Sequence, residues 1–256
     1  MSETKIIVAG AGGRMGAALI AAAREEGVSV AGAIERPGHP ALGHMAGGVT
    51  ITDALAPLVQ GGGVLVDFTA PAATLEHARL WAGAGLPMVI GTTGFSPAED
   101  AVIDGLAARA AIVRSGNFSL GVNLLAALVR KAAAALPAGY DIEIVEAHHR
   151  AKVDAPSGTA LMLGRAAAAG RGVSLDEAKA IDRAGARADG AIGFAVIRGG
   201  GVIGDHDVIF AGASETLTLS HRALDRSLFA KGAVAAARWV AAQPRGLYAM
   251  TDVLGL

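Results

Sequence analysis

Along the first half of the chain, short apolar runs alternate with stretches whose apolar positions recur every three or four residues. KIIVA (5–9) is an unbroken apolar run of strand length, and MGAALIAAAREE (15–26) has helical spacing. The alternation continues with a strand over 28–34, a Pro/Gly-rich loop (ERPGHPALGHMAGG) and a strand over 64–68 (VLVDF). A helix over 72–84, a strand at 88–90 (MVI), a helix over 97–109 and a strand over 111–114 follow. Strands buried on both faces read as continuous apolar runs, and strand–helix alternation builds βαβ units. The pattern therefore predicts an α/β fold whose N-terminal part is a Rossmann-like, doubly wound parallel sheet.

After residue 118 the pattern changes. A long helix is predicted over 120–136, then a strand over 140–147 in which Ile142 and Ile144 alternate with Glu143 and Val145. Helices over 158–169 and 175–183 lead into three successive strands, 192–198, 207–210 and 216–221, and a closing helix over 228–242. Strands in succession with little helix between them predict a central α+β domain with a mixed sheet. The chain thus divides at about residue 118, and the closing helix is free to pack back on the first part.

Composition narrows the classes of function. The 256 residues suffice for two modest domains, and 22 Lys plus Arg against 23 Asp plus Glu leave a net charge of -1. Such balance gives no reason to expect nucleic acid or an acidic membrane as partner. The absence of cysteine rules out disulfides, thiolate nucleophiles and Cys-ligated zinc. The N-terminus, MSETKIIVAGAGG, lacks a charged region and a long apolar run, and no segment reaches the ~18 apolar residues of a membrane span. Together these predict a soluble, cytoplasmic protein.

Glycine is abundant, 36 residues, and some of it stands at fixed spacings. VAGAGGRMG (8–16) joins the first strand to the first helix, the context in which a glycine-rich loop binds a dinucleotide. Gly10 permits the tight turn, Gly12 and Gly13 let amides approach a pyrophosphate, and Gly16 lets the helix sit close to the sheet. Arg14 adds a cation. A plain βα turn is the alternative. Glu35 lies 19 residues after Gly16, near the ~20 expected for an acid on the ribose hydroxyls. Arg36 beside it could meet a 2′-phosphate, so the pair leaves NADH and NADPH both open. Two further loops, Asp67–Pro71 by number 67–71 (DFTAP) and 91–95 (GTTGF), follow predicted strands. Ligands of such sheets bind at the carboxyl ends of strands.

The densest polar motif is EAHHRAKVDAPSGTA (146–160). Adjacent residues of an extended chain point to opposite sides, so His148 and His149 should do different work. Lys152 returns to the same place only if the chain turns between them. Pro156 suits the first turn of the helix that follows, and Asp154 or Ser157 suits its cap. The amides of Gly158 and Thr159 would then sit at a helix N-terminus, ready for a carboxylate. His148, His149, Arg150 and Lys152 form a basic cluster that fits an acidic small molecule. A metal site using the histidines and Asp154 lacks further ligands at suitable spacing, so no metal is expected. His39 and His44 fall in a loop and His77 on a helix, all read as solvated or structural. His206 and His221 approach the second domain's interior without an assigned role.

These motifs resemble the dihydrodipicolinate reductase family, the 4-hydroxy-tetrahydrodipicolinate reductases of bacterial lysine and diaminopimelate biosynthesis. The likeness runs through VAGAGGRMG, Glu35-Arg36, DFT-x-P, GTTGF, GNFSLGVN, EAHHRAKVDAPSGTA and GLYAMTDVLGL. It implies a dinucleotide-binding domain over 1–118 completed by 228–256, and a substrate-binding and oligomerisation domain over 119–227 that builds a homotetramer. It implies that Gly10, Ala11, Gly12, Gly13, Arg14 and Met15 contact NADH or NADPH, together with Gly91, Thr92, Thr93, Ser115, Gly116, Asn117 and Phe118. Glu35 would take the adenosine ribose and Arg36 the 2′-phosphate. His148 would be the proton donor with Lys152 as a second candidate, and His149, Gly158 and Thr159 would bind the dicarboxylate substrate. The family commonly has Ala at the position of Gly116, a departure expected to matter little. Two other readings compete: another NAD(P)-dependent dehydrogenase of a small acid, and a dinucleotide sensor without catalysis.

Overall fold

The computed structural model describes residues 4–256. In chain order the strands and helices are β1 (Lys5–Ala9), α1 (Arg14–Glu25), β2 (Ser29–Ile34), β3 (Met45–Ala46), β4 (Val49–Thr52), β5 (Val64–Asp67), α2 (Pro71–Trp81), β6 (Met88–Ile90), α3 (Pro97–Leu106) and β7 (Ala111–Arg114). There follow α4 (Leu120–Ala135), β8 (Asp141–His148), α5 (Gly158–Arg171), α6 (Leu175–Ala178), β9 (Lys179–Ala180), β10 (Ile192–Arg198), β11 (Asp205–Ala211) and β12 (Thr216–Arg222). The chain closes with α7 (Ser227–Val240), β13 (Gly246–Tyr248) and α8 (Met250–Leu254). Two compact units result: one holds the chain up to Leu120 together with Ser227–Leu256, the other Gly121–Arg226.

The first unit carries an eight-stranded sheet in the order β13-β7-β6-β5-β1-β2-β4-β3. All pairings are parallel except the β3–β4 hairpin. Its central strands are buried on both faces, as their unbroken apolar sequences require. On one face lie α1, α7 and α8, where Leu19, Ala22 and Ala23 meet Ala233, Val234 and Ala237. On the other, α2 and α3 bury Leu75, Trp81 and Ile103 against Leu65, Met88 and Ile112. Small residues let α7 sit very close. A Cβ at Gly232 would stand 1.7 Å from the Phe118 carbonyl oxygen, so glycine is required where the helix crosses the chain after β7.

The second unit is a five-stranded mixed sheet, β12-β11-β8-β10-β9. β10 runs parallel to β8 and β9, while β11 is antiparallel to both β8 and β12. One sheet face packs on α4 and α5, with Ile142, Ile144, Val208, Phe210 and Phe194 against Val129, Leu163 and Ala167.

Several elements differ from the sequence expectation. The Pro/Gly-rich loop contains half of a hairpin, because Gly47 and Gly48, both at positive φ (60° and 88°), make the two-residue turn that joins β3 to β4. Strands of two and four residues are too short to show alternation. The helix expected over 175–183 stops at Ala178 and becomes β9. β13 and α8 were not foreseen, and β13 extends the parallel sheet beyond β7. No described helix is long and apolar enough to cross a membrane.

Candidate active site

In the first unit the loops after β1, β2, β5, β6 and β7 emerge at the carboxyl ends of parallel strands. Gly10 has φ +68°, open to glycine at little cost, and its carbonyl accepts the Gly13 amide at 3.0 Å. Gly13 is the N-cap of α1 and supplies no side-chain cap. A Cβ at Gly16 would lie 2.2 Å from the Gly10 oxygen, and one at Gly12 only 2.5 Å from the His39 ring. The loop is therefore pressed against both its own helix and His39, which packs beside it. The Glu35 carboxylate accepts the Gly12 amide at 3.1 Å and the Arg36 amide at 2.9 Å, while Arg36 is exposed. This backbone-lined turn, closed so tightly on itself and on His39 that positions 12 and 16 admit no side chain, suits the pyrophosphate of a dinucleotide.

The other predicted cofactor segments are adjacent. The Phe68 and Phe118 rings meet edge to face with centroids 5.2 Å apart, and a Cβ at Gly91 would come within 2.0 Å of Phe68. A Cβ at Gly116 would meet Thr93 Cγ2 at 3.7 Å, ordinary contact, so the alanine common in related chains fits there. The side chains of Phe118 and Thr92 face inward, leaving mainly their backbones to meet a ligand. The Thr69 amide and hydroxyl and the Thr74 hydroxyl donate to Oδ1 of buried Asp67, and the Thr92 hydroxyl in turn donates to Thr74 Oγ1 at 2.8 Å. His77 Nδ1 bonds the other carboxylate oxygen at 2.7 Å. Burial pushes the Asp67 carboxyl up, but hydrogen bonds from His77 and Thr69 outweigh it and hold the group below the usual range. Asp67 and His77 tie together the loops after β5 and β6, a network that sequence reasoning missed.

In the second unit, β8 carries the polar motif. Its inward positions are Ile142, Ile144, Glu146 and His148. Glu146 is fully buried with both oxygens engaged. Oε2 meets His148 Nδ1 at 2.5 Å and accepts from Arg198 Nη1 at 2.8 Å, and Oε1 accepts from Arg198 Nη2 at 2.8 Å and the Ser157 amide at 3.0 Å. Burial raises the Glu146 carboxyl, yet the bonds from Arg198, His148 and Ser157 prevail and it stays ionised below the usual range. Arg198 also donates to the Asp154 carbonyl at 2.6 Å. The buried His206 ring meets His148 edge to face at 5.2 Å, and its Nε2 lies 3.2 Å from Ser157 Oγ. Burial, then the neighbouring His148, lowers His206 to about 4.

Ser157, not Asp154, caps α5, accepting the Ala160 amide at 3.1 Å. Pro156 precedes the cap instead of entering the first turn, and its peptide bond is cis. Asp154 instead takes Lys152 Nζ at 2.7 Å, which holds its carboxyl below the usual range. The chain does turn between His149 and Lys152, whose amide donates to the His149 carbonyl at 3.1 Å. Glu146 thus brings His148 and the start of α5, with Gly158 and Thr159, into one assembly. Glu146, Arg198, Gly204 and His206 were not foreseen as site residues. A Cβ at Gly204 would sit 3.0 Å from His148 Nε2, so glycine leaves that nitrogen room. Among the described residues, no group of three or more His, Asp or Glu could hold a metal ion.

Known proteins match throughout. The family model described as dihydrodipicolinate reductase, N-terminus, covers residues 4–118, and its C-terminus counterpart covers 121–254. The protein named 4-hydroxy-tetrahydrodipicolinate reductase of Rhodopseudomonas palustris (strain BisB5) is 54% identical, over 100% of this chain and 99% of that one. Its namesake from Beijerinckia indica is 56% identical over 100% and 99%. Among solved structures, dipicolinate-bound dihydrodipicolinate reductase from Paenisporosarcina sp. TG-14 is similar with a TM-score of 0.81, at 25% identity, over 97% of this chain and 98% of that one.

Proposed function

The chain belongs to the dihydrodipicolinate reductase family, and on that premise we propose the following chemistry for it. It reduces 4-hydroxy-tetrahydrodipicolinate to tetrahydrodipicolinate in diaminopimelate and lysine biosynthesis. A nicotinamide dinucleotide, when bound, supplies the hydride. Gly10, Ala11, Gly12, Gly13, Arg14 and Met15 hold its pyrophosphate region, Glu35 and Arg36 its adenosine end, and 91–93 and 115–118 its nicotinamide end. The 4-hydroxyl leaves as water, which gives a ring with conjugated C=C and C=N bonds; hydride then adds to one carbon of that conjugated system, and the neighbouring atom takes a proton.

His148 supplies that proton. A histidine titrates near working pH, which suits a general acid. The observation that carries this role is the ionised carboxylate buried against His148 Nδ1. It occupies the Nδ1 side of the ring and leaves Nε2 to give up the proton. Gly158 and Thr159 amides at the start of α5 bind one substrate carboxylate, and His149 and Lys152 bind the other. Lys152, paired with Asp154, serves charge balance better than proton delivery.

The test is direct: purified enzyme is mixed with freshly made 4-hydroxy-tetrahydrodipicolinate, and loss of NADH or NADPH is followed. Turnover with at least one cofactor is expected, and none with either would refute the reading. Both cofactors are proposed to serve, with Arg36 favouring NADPH. A charge-assisted bond to a phosphate contributes ~1.5–3 kcal/mol, so Arg36→Ala should raise KM for NADPH about 10-fold or more and leave NADH nearly unchanged. Equal losses for both would remove Arg36 from the 2′-phosphate. We also propose a cytoplasmic homotetramer built through the second unit. The likeness to the family supports this assembly, and the mass in solution tests it.

A further inference from the structure

We infer that Glu146, clamped by Arg198, is a positioning residue: it decides which nitrogen of His148 gives up its proton, and locks that nitrogen in register with the amide end of α5. The inference rests on His148 as the proton donor and adds what makes it one.

An ionised carboxylate can only accept hydrogen bonds, so the close Glu146 Oε2 contact requires a proton on His148 Nδ1. Whenever His148 is neutral, its single remaining proton must then sit on Nδ1, and Nε2 carries the lone pair. In the imidazolium, Nε2 holds the proton that leaves. Donation from Nε2 therefore ends directly in the tautomer that Glu146 stabilises, with no rearrangement of the ring. A neutral histidine with the opposite tautomer would hold its proton on Nε2 and could not be recharged there. Which nitrogen is protonated is set by the bond the other makes, and loss of that control in a hydrolase triad costs orders of magnitude in rate.

The carboxylate itself is held from three sides. Arg198 grips both oxygens, which prevents rotation about the Glu146 side chain. The Ser157 amide on Oε1 fixes it to the residue that caps α5. His206 seats its ring against that of His148 and reaches Ser157 Oγ, closing a second path between the donor and the cap. Arg198 is 52 residues from Glu146 in the chain and also holds the Asp154 carbonyl. One buried carboxylate thus sets both the tautomer of the proton donor and its distance from the amides assigned to the substrate carboxylate. An ion pair serving only structure would need Arg198 but not the histidine.

The alternative, that Glu146 is a structural ion-pair member alone, makes a different prediction. The test is nitrogen-15 NMR of histidine-labelled full-length enzyme, with the His148 signals identified by their loss in His148→Gln. In the wild type, neutral His148 is expected to carry its proton on Nδ1. In Glu146→Gln, Arg198 should draw the amide oxygen and turn the amide NH2 toward Nδ1, so the proton should move to Nε2. With it, kcat should fall about 100-fold, the loss expected when general acid catalysis is disabled. Wild-type His148 with its proton on Nε2 would overturn the inference without any substitution at Glu146. So would Glu146→Gln enzyme that keeps the Nδ1 proton. A switched tautomer with unchanged kcat would instead sink His148 as the donor, which separates that failure from this one.

Discussion

Replacing His148 with Gln is expected to lower kcat by about 100-fold or more while leaving cofactor KM nearly unchanged, because general acid–base catalysis contributes roughly 10²–10⁴. Gln matches the imidazole in size and polarity but gives up no proton near neutral pH. The fold should tolerate it: His148 lies at the end of β8, and Arg198 and the Ser157 amide still satisfy Glu146. Gly204→Ala is the companion experiment. Its methyl would press on Nε2 at 3.0 Å without touching Nδ1, so it should lower kcat with little change in unfolding free energy. Steady-state kinetics with 4-hydroxy-tetrahydrodipicolinate measures both. A His148→Gln enzyme with wild-type kcat would remove the residue from the chemistry and leave Lys152 as the candidate.

The second large effect is on stability in mild acid. His206 is buried and lowered from 6.5 to about 4, first by desolvation and then by the nearby His148. Between those values the unfolded chain binds a proton that the folded chain refuses, so stability falls with falling pH. The contribution is fully present above about 6.5, declines through the window, and is lost by about pH 4. The shift from 6.5 to about 4 corresponds to about 3 kcal/mol, at ~1.4 kcal/mol per unit. His206→Gln cannot titrate and should flatten this part of the profile while keeping a polar group near Ser157. Urea denaturation at pH 7 and pH 5 measures the difference, and equal pH dependence for wild type and variant would exclude His206 as its source. Glu146 and Asp67, both held below the usual carboxylate range, act at lower pH: their stability is present above their unfolded values and lost as pH falls through the folded ones.

Much of this protein was legible from spacing. Unbroken apolar runs of strand length can only be satisfied between two helical layers, and VAGAGGRMG required a turn where a helix begins on the edge of such a sheet. The 146–160 motif announced a polar strand end, a turn and a helix start. Even Glu146 had a local signal: Ile142 and Ile144 mark the inward face of β8, and extending that period of two reaches Glu146 and His148. An acid and a histidine on a buried strand face must find partners, since an unpaired buried charge is costly.

What the sequence could not disclose is which partners they find. Asp154 and Ser157 were equally good caps by composition, and only the path of the chain into α5 gave the role to Ser157. The short β3 and β13 lack enough residues for any periodicity. By itself, then, the sequence determined the parallel sheet, the glycine turn and the polar strand–turn–helix segment over 146–160, because these follow from local periodicity and turn chemistry. Only tertiary structure decided that Arg198, Gly204 and His206, distant along the chain, close around Glu146 and His148. The reason is physical: strand pairing between β8, β10 and β11 brings these residues together, and the register of that pairing is set by the burial of whole sheet faces, not by any one motif.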